Sequence, residues 1–451
     1  MPCPLGATAN TGQTLHSNNM GLLGLPKARL SMEDGEEIRI SGPASGRVVE
    51  GRATILGAEL GPGEDFRVGR LRSYTIRALK HSTIEVMLED EARIEKPSPG
   101  EEPLEDWVEI ADSLISSCEL PCTVTVIGPV EAGKTSFTAL LANRALARGI
   151  SPAIVDSDVG QADIGPPAFV SMALVTQWVL WLRDLRPDAS RFIGSIEPAP
   201  VAGRIISQVA DLVGQALRMG AGLVAIDTDG WVQGWSSLEY KADLIRASRA
   251  DRIVVLGDPL LYRVYDRIFP GRVVYARSPT RAVTRSAQDR RKLRRDNYER
   301  FLSEAKVRDI DLSRVSVVGS CLLATVPQNG DLLDSLRREV TDRIVMVGRY
   351  PGGYCVAVDS EEPVDQNTLR SLQKRLDREV LVVHTGGFRG VLVGLTGPDG
   401  NDYPGVVEAL DLEGWKLRVR TAYGGEVRAI IFGRVRLGEE YGETPGRRIW
   451  I

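Results

Sequence analysis

The chain has 451 residues, is 43% hydrophobic and 26% charged, and carries 56 Lys and Arg against 60 Asp and Glu, a formal net charge of −4. That length accommodates roughly three domains and a large core in at least one of them. The near-balanced charge excludes a globally basic coat, so any nucleic-acid binding must use a local patch.

Five cysteines (Cys3, Cys118, Cys122, Cys321, Cys355), odd in number and without C-x-x-C spacing, argue for a reducing compartment and against a disulfide framework. Cys118 and Cys122 could share a helix face or straddle its end, but no other Cys or His accompanies them, which disfavours a metal site. Three histidines make histidine-based catalysis a poor choice. No basic-then-apolar leader is seen, and the apolar stretch near Ser171 to Leu182, interrupted by Thr176 and Gln177, is too short to span a bilayer. A cytoplasmic protein without membrane contact is expected.

Residues 1–27 are rich in Gly, Asn, Thr and Ser and read as a flexible lead-in. Over 28–98, short alternating runs such as Arg47 to Leu56, Tyr74 to Leu79 and Thr83 to Leu88 predict a small all-β domain. Glu95 to Pro103, with three prolines, reads as a linker. A helix is predicted from Leu104 to Ser117, opening a second domain over 104–310.

Within that domain the β-branched run Thr123 to Ile127 feeds Gly128-Pro129-Val130-Glu131-Ala132-Gly133-Lys134-Thr135, followed by Ser136. Apolar residues at Phe137, Leu140, Leu141 and Leu146 then have helical spacing. Strand, G-x-x-x-x-G-K-T loop and helix in this order make a phosphate-binding loop. Glycines let backbone N–H groups curl around phosphate oxygens, and the helix N-terminus adds its positive end. Lys134 is placed for the β- and γ-phosphates of a bound nucleotide and Thr135 for magnesium. Further apolar strands end in Asp156-Ser157-Asp158-Val159-Gly160-Gln161 and in Asp227-Thr228-Asp229-Gly230-Trp231, and Arg252 to Gly257 forms another. Alternation with helices, as at Ile205 to Met219, predicts an α/β class with a central parallel sheet covered on both faces and its ligand edge at the strand C-termini. Beyond Asp311 short strands return, including Trp415 to Thr421, and residues 311–451 read as a mostly β domain.

A phosphoryl-transfer site needs a carboxylate to orient or deprotonate the acceptor hydroxyl and another contact to the metal shell. Asp158 is the first choice, with Asp156 and Gln161 as supporting groups; the alternative is that both acids only shape the turn. Between Arg281 and Arg300 eight basic residues face three acids. Arg290 with Arg294, and Arg291 with Arg295, stand at i, i+4, which makes a cationic helix face suited to closing over a triphosphate. A solvated charged helix, or generic attraction to nucleic-acid phosphates, is the plainer reading. Trp231 and Trp235 lie just past the sheet edge, where an indole can stack on a nucleobase, while Trp178 and Trp181 are expected in the core.

Together these segments resemble the polyribonucleotide 5′-hydroxyl kinases, which include the P-loop kinase subunit of the eukaryotic mRNA cleavage factor and nucleolar pre-rRNA processing kinases. The resemblance is carried by Gly128 to Ser136, Asp158-Val159-Gly160-Gln161, Phe192-Ile193-Gly194-Ser195, Gly230-Trp231-Val232, and Arg285-Ser286 with Arg290-Arg291 and Arg294. It implies that Lys134, Asp158, Arg290 and Arg294 serve catalysis. Thr135 and Asp158 would be the magnesium contacts, and Gln161, Ser195, Trp231, Arg285 and Arg291 the substrate contacts. The acceptor would be the 5′-hydroxyl end of RNA, with DNA as a second acceptor class, in a monomer working beside RNA-processing proteins. Asp227 stands where relatives often have Asn, which leaves its role open. Two rival readings are a non-catalytic ATP-binding scaffold and another phosphate-loop NTPase; against GTP, a guanine-reading N-K-x-D segment is missing.

Overall fold

The computed structural model describes residues 19–20, 26–281, 284–328, 330–360 and 365–444. Most of the expected lead-in over 1–27 lies outside the described residues. The chain divides into two compact units, residues 1–108 with 279–283, and residues 109–278 with 284–451.

The first unit holds two five-stranded sheets. Alternation builds them: Ser73–Ala78 and Ser82–Leu88 bury Tyr74, Ile76, Ala78, Ile84 and Val86. Arg39 is buried between Glu101 and Glu102, so the stretch expected as a linker is tied down by ion pairs. Arg281 joins this unit, 3.5 Å from Glu101, and stands outside the basic helix that follows.

The second unit is built on a seven-stranded sheet. Its strands are β1 (Cys122–Ile127), β2 (Pro152–Asp156), β3 (Phe169–Leu174), β4 (Ala189–Phe192), β5 (Leu223–Asp227), β6 (Arg252–Leu256) and β7 (Val273–Ala276), in the spatial order β4-β3-β2-β5-β1-β6-β7. The pairs β2/β5, β5/β1, β1/β6 and β6/β7 are parallel. Every residue of β1, β2 and β5 is buried, as expected of strands covered on both faces. The parallel expectation needs one amendment: β3 and β4 run antiparallel at one edge, because the chain returns from β2 to β3 through the loop 157–168, with no crossover helix. The helices are α1 (Leu104–Ser117), α2 (Lys134–Ala147), α3 (Ala202–Arg218), α4 (Trp235–Ala247), α5 (Pro259–Ile268) and α6 (Ala287–Leu302). In α3 the residues Ile205, Val209, Leu212, Val213 and Ala216 form the buried stripe.

The same unit continues into a six-stranded sheet, ordered Lys306–Asp311, Lys416–Thr421, Asp402–Asp411, Val391–Thr396, Ala429–Arg436, Ser316–Val318, and a four-stranded sheet formed by Val326–Pro327, Ile344–Tyr350, Gly353–Val358 and Glu379–His384. Two helices lie with the latter, α7 (Gly330–Glu339) and α8 (Gln366–Leu376), so this part is less purely β than expected. It joins the central sheet at Phe192, whose backbone N–H donates to Asp402 Oδ2 at 2.8 Å. Gly394 makes room for the Phe192 ring: a Cβ there would lie 2.5 Å from Phe192 Cβ.

Two further expectations are corrected. Cys118 and Cys122 are joined by a disulfide, with their Cα atoms 6.0 Å apart, because the Glu119-Leu120-Pro121 turn folds the end of α1 back onto the start of β1. Trp178 and Trp181 are half-buried and outside the core; Trp181 Nε1 reaches Asp163 at 3.4 Å and Arg183 covers its ring. Among the described residues no helix is long and apolar enough to cross a membrane.

Candidate active site

The loop between β1 and α2 lies at the C-terminal edge of the sheet. Gly133 has φ 96°, a left-handed conformation that admits glycine readily and lets the chain turn into α2. Lys134, the first helical residue, is buried, and its Nζ donates to the Pro129 carbonyl at 2.8 Å. Burial pushes the Lys134 ammonium pKa down, while the nearby Asp227 and Asp158 oppose that shift.

Thr135 donates its hydroxyl to Asp227 Oδ2 at 2.7 Å. Asp227 ends β5, directly across from Asp156 at the end of β2. Burial raises its pKa to about 7, opposed by the Thr135 hydrogen bond and by Lys134. Its other oxygen, Oδ1, is buried with no hydrogen-bond partner among the described residues. An orphaned carboxylate oxygen beside a threonine hydroxyl fits a hard divalent cation, which takes oxygen ligands and keeps part of its water shell. Sequence reasoning left Asp227 without a role; in the structure it accepts the Thr135 hydroxyl hydrogen bond.

The loop after β2 is templated by Asp156, which accepts from Asp158 N at 3.1 Å, Asp163 N at 2.7 Å and Ile164 N at 3.0 Å. Asp158 uses Oδ1 to accept from Gly160 N at 3.1 Å and Gln161 N at 2.9 Å. The turn-forming and chemical readings of Asp158 are therefore compatible, since one oxygen shapes the loop and the other is not consumed by it. Burial, then the charge of Asp229, holds the Asp158 pKa above the ordinary carboxylate value. Gln161 Nε2 is turned onto the Gly160 carbonyl at 2.6 Å. The Ser195 hydroxyl is engaged in a local turn with Glu197.

A cluster of distant partners surrounds Trp231. Asp229 Oδ1 accepts from Trp231 N at 2.9 Å, and Oδ2 accepts from Tyr240 Oη at 2.9 Å and from Lys241 Nζ at 2.7 Å. The Tyr240 ring stacks on the half-buried Trp231 indole with centroids 5.7 Å apart. Lys241 is fully buried, with Asp229 as its counter-charge. One carboxylate thus fixes the Trp231 backbone and the residue beneath its ring. Trp235 stands at 70% exposure on the first turn of α4.

The basic run forms α6, begun by a capping box in which Ser286 and Asp289 exchange side-chain and backbone hydrogen bonds. The helix is not wholly solvated: Asn297, Tyr298 and Leu302 are buried, and Asn297 Nδ2 donates to the Ala162 and Gly165 carbonyls at 2.8 Å. Its start is tied to the phosphate loop, where Glu131 Oε1 accepts from Arg285 N at 2.8 Å and lies 3.9 Å from Arg290. Arg291 is exposed. Arg294, expected at the phosphates, is engaged elsewhere: its guanidinium meets both Glu443 oxygens at 2.5 and 2.8 Å. The i, i+4 relation to Arg290 does not keep the two together, because α6 passes from the loop at its start to the C-terminal segment at its middle.

Residues 128–304 match the family described as the mRNA cleavage and polyadenylation factor CLP1 P-loop. Over 346 residues the chain is 30% identical to the polyribonucleotide 5′-hydroxyl-kinase of Pyrococcus horikoshii, covering 75% of this chain and 91% of that protein. The chain belongs to this kinase family. A Pyrococcus abyssi protein of the same name is 31% identical over 351 residues, covering 75% and 93%. In fold the chain is similar to Clp1p as solved in complex with Pcf11p, with a TM-score of 0.60 at 15% identity over 93% of this chain and 99% of that one.

Proposed function

We propose that the chain transfers the γ-phosphoryl group of ATP, with magnesium, to the 5′-hydroxyl end of RNA. The observation that supports this best is the placing of Asp158 on a loop templated by Asp156, facing the buried Lys134 and the Thr135–Asp227 pair. That arrangement sets an acceptor-binding acid beside a phosphate cradle.

The 128–136 loop holds the phosphates with backbone N–H groups, and Lys134 leaves the Pro129 carbonyl to meet the β- and γ-oxygens. Thr135 and Asp227 would hold magnesium, which when bound neutralises charge on the phosphate oxygens; the structure favours Asp227 over Asp158 for this. Asp158 accepts the proton of the 5′-hydroxyl as its oxygen bonds to the γ-phosphorus and the bond to the β,γ-bridging oxygen breaks, releasing ADP. Arg290 stabilises the equatorial oxygens from the start of α6. Trp231 stacks on the terminal base. Arg285, Arg291, Gln161 and Ser195 lie on the segments that would surround the acceptor. Positioning and charge carry the reaction, with little covalent help from the protein.

The test is transfer of labelled γ-phosphate from ATP to short 5′-hydroxyl RNA and DNA oligonucleotides. Wild type is expected to label RNA, and Lys134→Ala, Asp158→Asn and Arg290→Ala to lose roughly 100-fold or more in rate. ATP binding by wild type without labelling of either polymer would instead make the chain a nucleotide-binding scaffold.

A further inference from the structure

Beside the acceptor loop, two arginines from separate parts of the fold converge on consecutive carbonyls. Arg204, in the first turn of α3, donates from Nη1 to the Ile193 carbonyl at 2.8 Å. Arg434, on the Ala429–Arg436 strand, donates its backbone N–H to the Gly194 carbonyl at 2.6 Å. The two backbones touch there, since a Cβ on Gly194 would lie 3.0 Å from Gly433 Cα. This segment borders the acceptor loop: a Cβ on Gly160 would lie 2.8 Å from the Ile196 carbonyl oxygen.

Both residues are exposed, and among the described residues neither side chain forms an ion pair with a carboxylate. The contrast with Arg191, two residues before Ile193, is direct, because Arg191 is neutralised by Asp211 at 2.8 Å. Around Arg204, the partial burial of its guanidinium first and the charge of Arg434 second push the pKa down. Two arginines brought to neighbouring carbonyls, with neither side chain paired to a carboxylate among the described residues, form a site that an anion would stabilise.

The chemistry of the acceptor says which anion this is. A 5′-hydroxyl nucleotide carries no phosphate on its 5′ side, so backbone charge reaches the enzyme only from the first internucleotide links. We infer that Arg204 and Arg434 form a phosphodiester-binding subsite that grips the RNA strand just downstream of the nucleotide being phosphorylated. The inference rests on the RNA-kinase reading above, and it gives the C-terminal sheet a part in substrate binding. It also explains how an acidic chain holds a polyanion: the charge is local and placed where the strand leaves the site.

The experiment is fluorescence anisotropy of the full chain with a 5′-hydroxyl hexaribonucleotide over a salt series, for wild type, Arg204→Gln, Arg434→Gln and the double variant. A second hexamer carries neutral methylphosphonate at its first two links. Each single variant is expected to weaken binding of the native hexamer about 3- to 10-fold. The slope of log affinity against log salt should fall by about 0.7 for each arginine removed. Neutral links should weaken wild type and leave the double variant nearly unchanged, with ATP affinity unaltered throughout. Arg434→Gln is the safer variant, because the bond to Gly194 uses the Arg434 backbone. Equal binding of both hexamers by wild type, or equal losses on both hexamers in the variants, would overturn the subsite. Label transfer by wild type is measured separately. If RNA binding depends on both arginines but no transfer occurs, the kinase reading falls and the subsite stands. Transfer that is indifferent to both arginines removes the subsite alone.

Discussion

The Thr135 hydroxyl and the Asp227 carboxylate are joined at 2.7 Å, and the second oxygen of Asp227 is buried without a partner among the described residues. An arrangement of this kind fits a cation that takes oxygen ligands. Asp227→Asn keeps the geometry and an acceptor for Thr135 while removing the charge. The magnesium concentration needed for half-maximal transfer should rise roughly 10-fold or more, with a smaller change in ATP affinity measured without metal. An unchanged magnesium dependence would return the metal to Asp158.

The same acids make the nucleotide-free protein sensitive to pH. Burial is the first cause of the raised pKa at Asp156, Asp158 and Asp227, the last reaching about 7. In the unfolded chain these groups titrate near pH 4. Between that value and about 7 the folded chain binds more protons than the unfolded one, so stability falls as pH rises through this window. Calorimetry without ligands should give a higher melting temperature at about pH 5 than at about pH 8. Magnesium with ATP should narrow the difference, and Asp227→Asn should flatten it.

Lys241 is the buried counter-charge of Asp229, whose other oxygen holds the Trp231 backbone. Removing one partner of such a pair leaves an uncompensated charge, at a cost of about 3–5 kcal/mol. Lys241→Met should lose stability on that scale, and adding Asp229→Asn should recover part of it. With the Trp231 platform loosened, the KM for RNA should rise more than the KM for ATP. Equal increases for both substrates would mean that the cluster supports the fold alone.

The parts of this arrangement visible in the sequence are those made by neighbours in the chain. Leu104–Ser117 and the loop from Gly128 to Ser136 follow from local period and glycine placement, and the turn at Asp158 follows from Gly160 two residues on. What was not visible depends on distant packing. Nothing near Lys241 in sequence reveals a carboxylate twelve positions away on another element, and the partner of Arg294 lies 149 residues further on. The antiparallel direction of β3 could not be told from its apolar run, because buried strands of either direction look alike. The helix α7 did leave a sign in the spacing of Leu332, Leu333 and Leu336, but it is short and set among strands.

Arg294 tests how much of the basic helix acts on phosphate. Its side chain and that of Glu443 are each largely buried, and they meet through two hydrogen bonds that tie the middle of α6 to the end of the described chain. Arg290, one turn earlier, lies 3.9 Å from Glu131 of the phosphate loop and is more open. A two-pronged pair of this kind contributes about 1–3 kcal/mol, so swinging Arg294 onto a nucleotide would have to offset that loss. We therefore expect Arg294→Ala and Glu443→Ala to lower the melting temperature and the transfer rate to similar extents, with the double variant little worse than either single one. Arg290→Ala should behave oppositely, with stability kept and rate lost. If Arg294→Ala reduces the rate far more than Glu443→Ala does, Arg294 leaves its partner during turnover and α6 closes with both arginines.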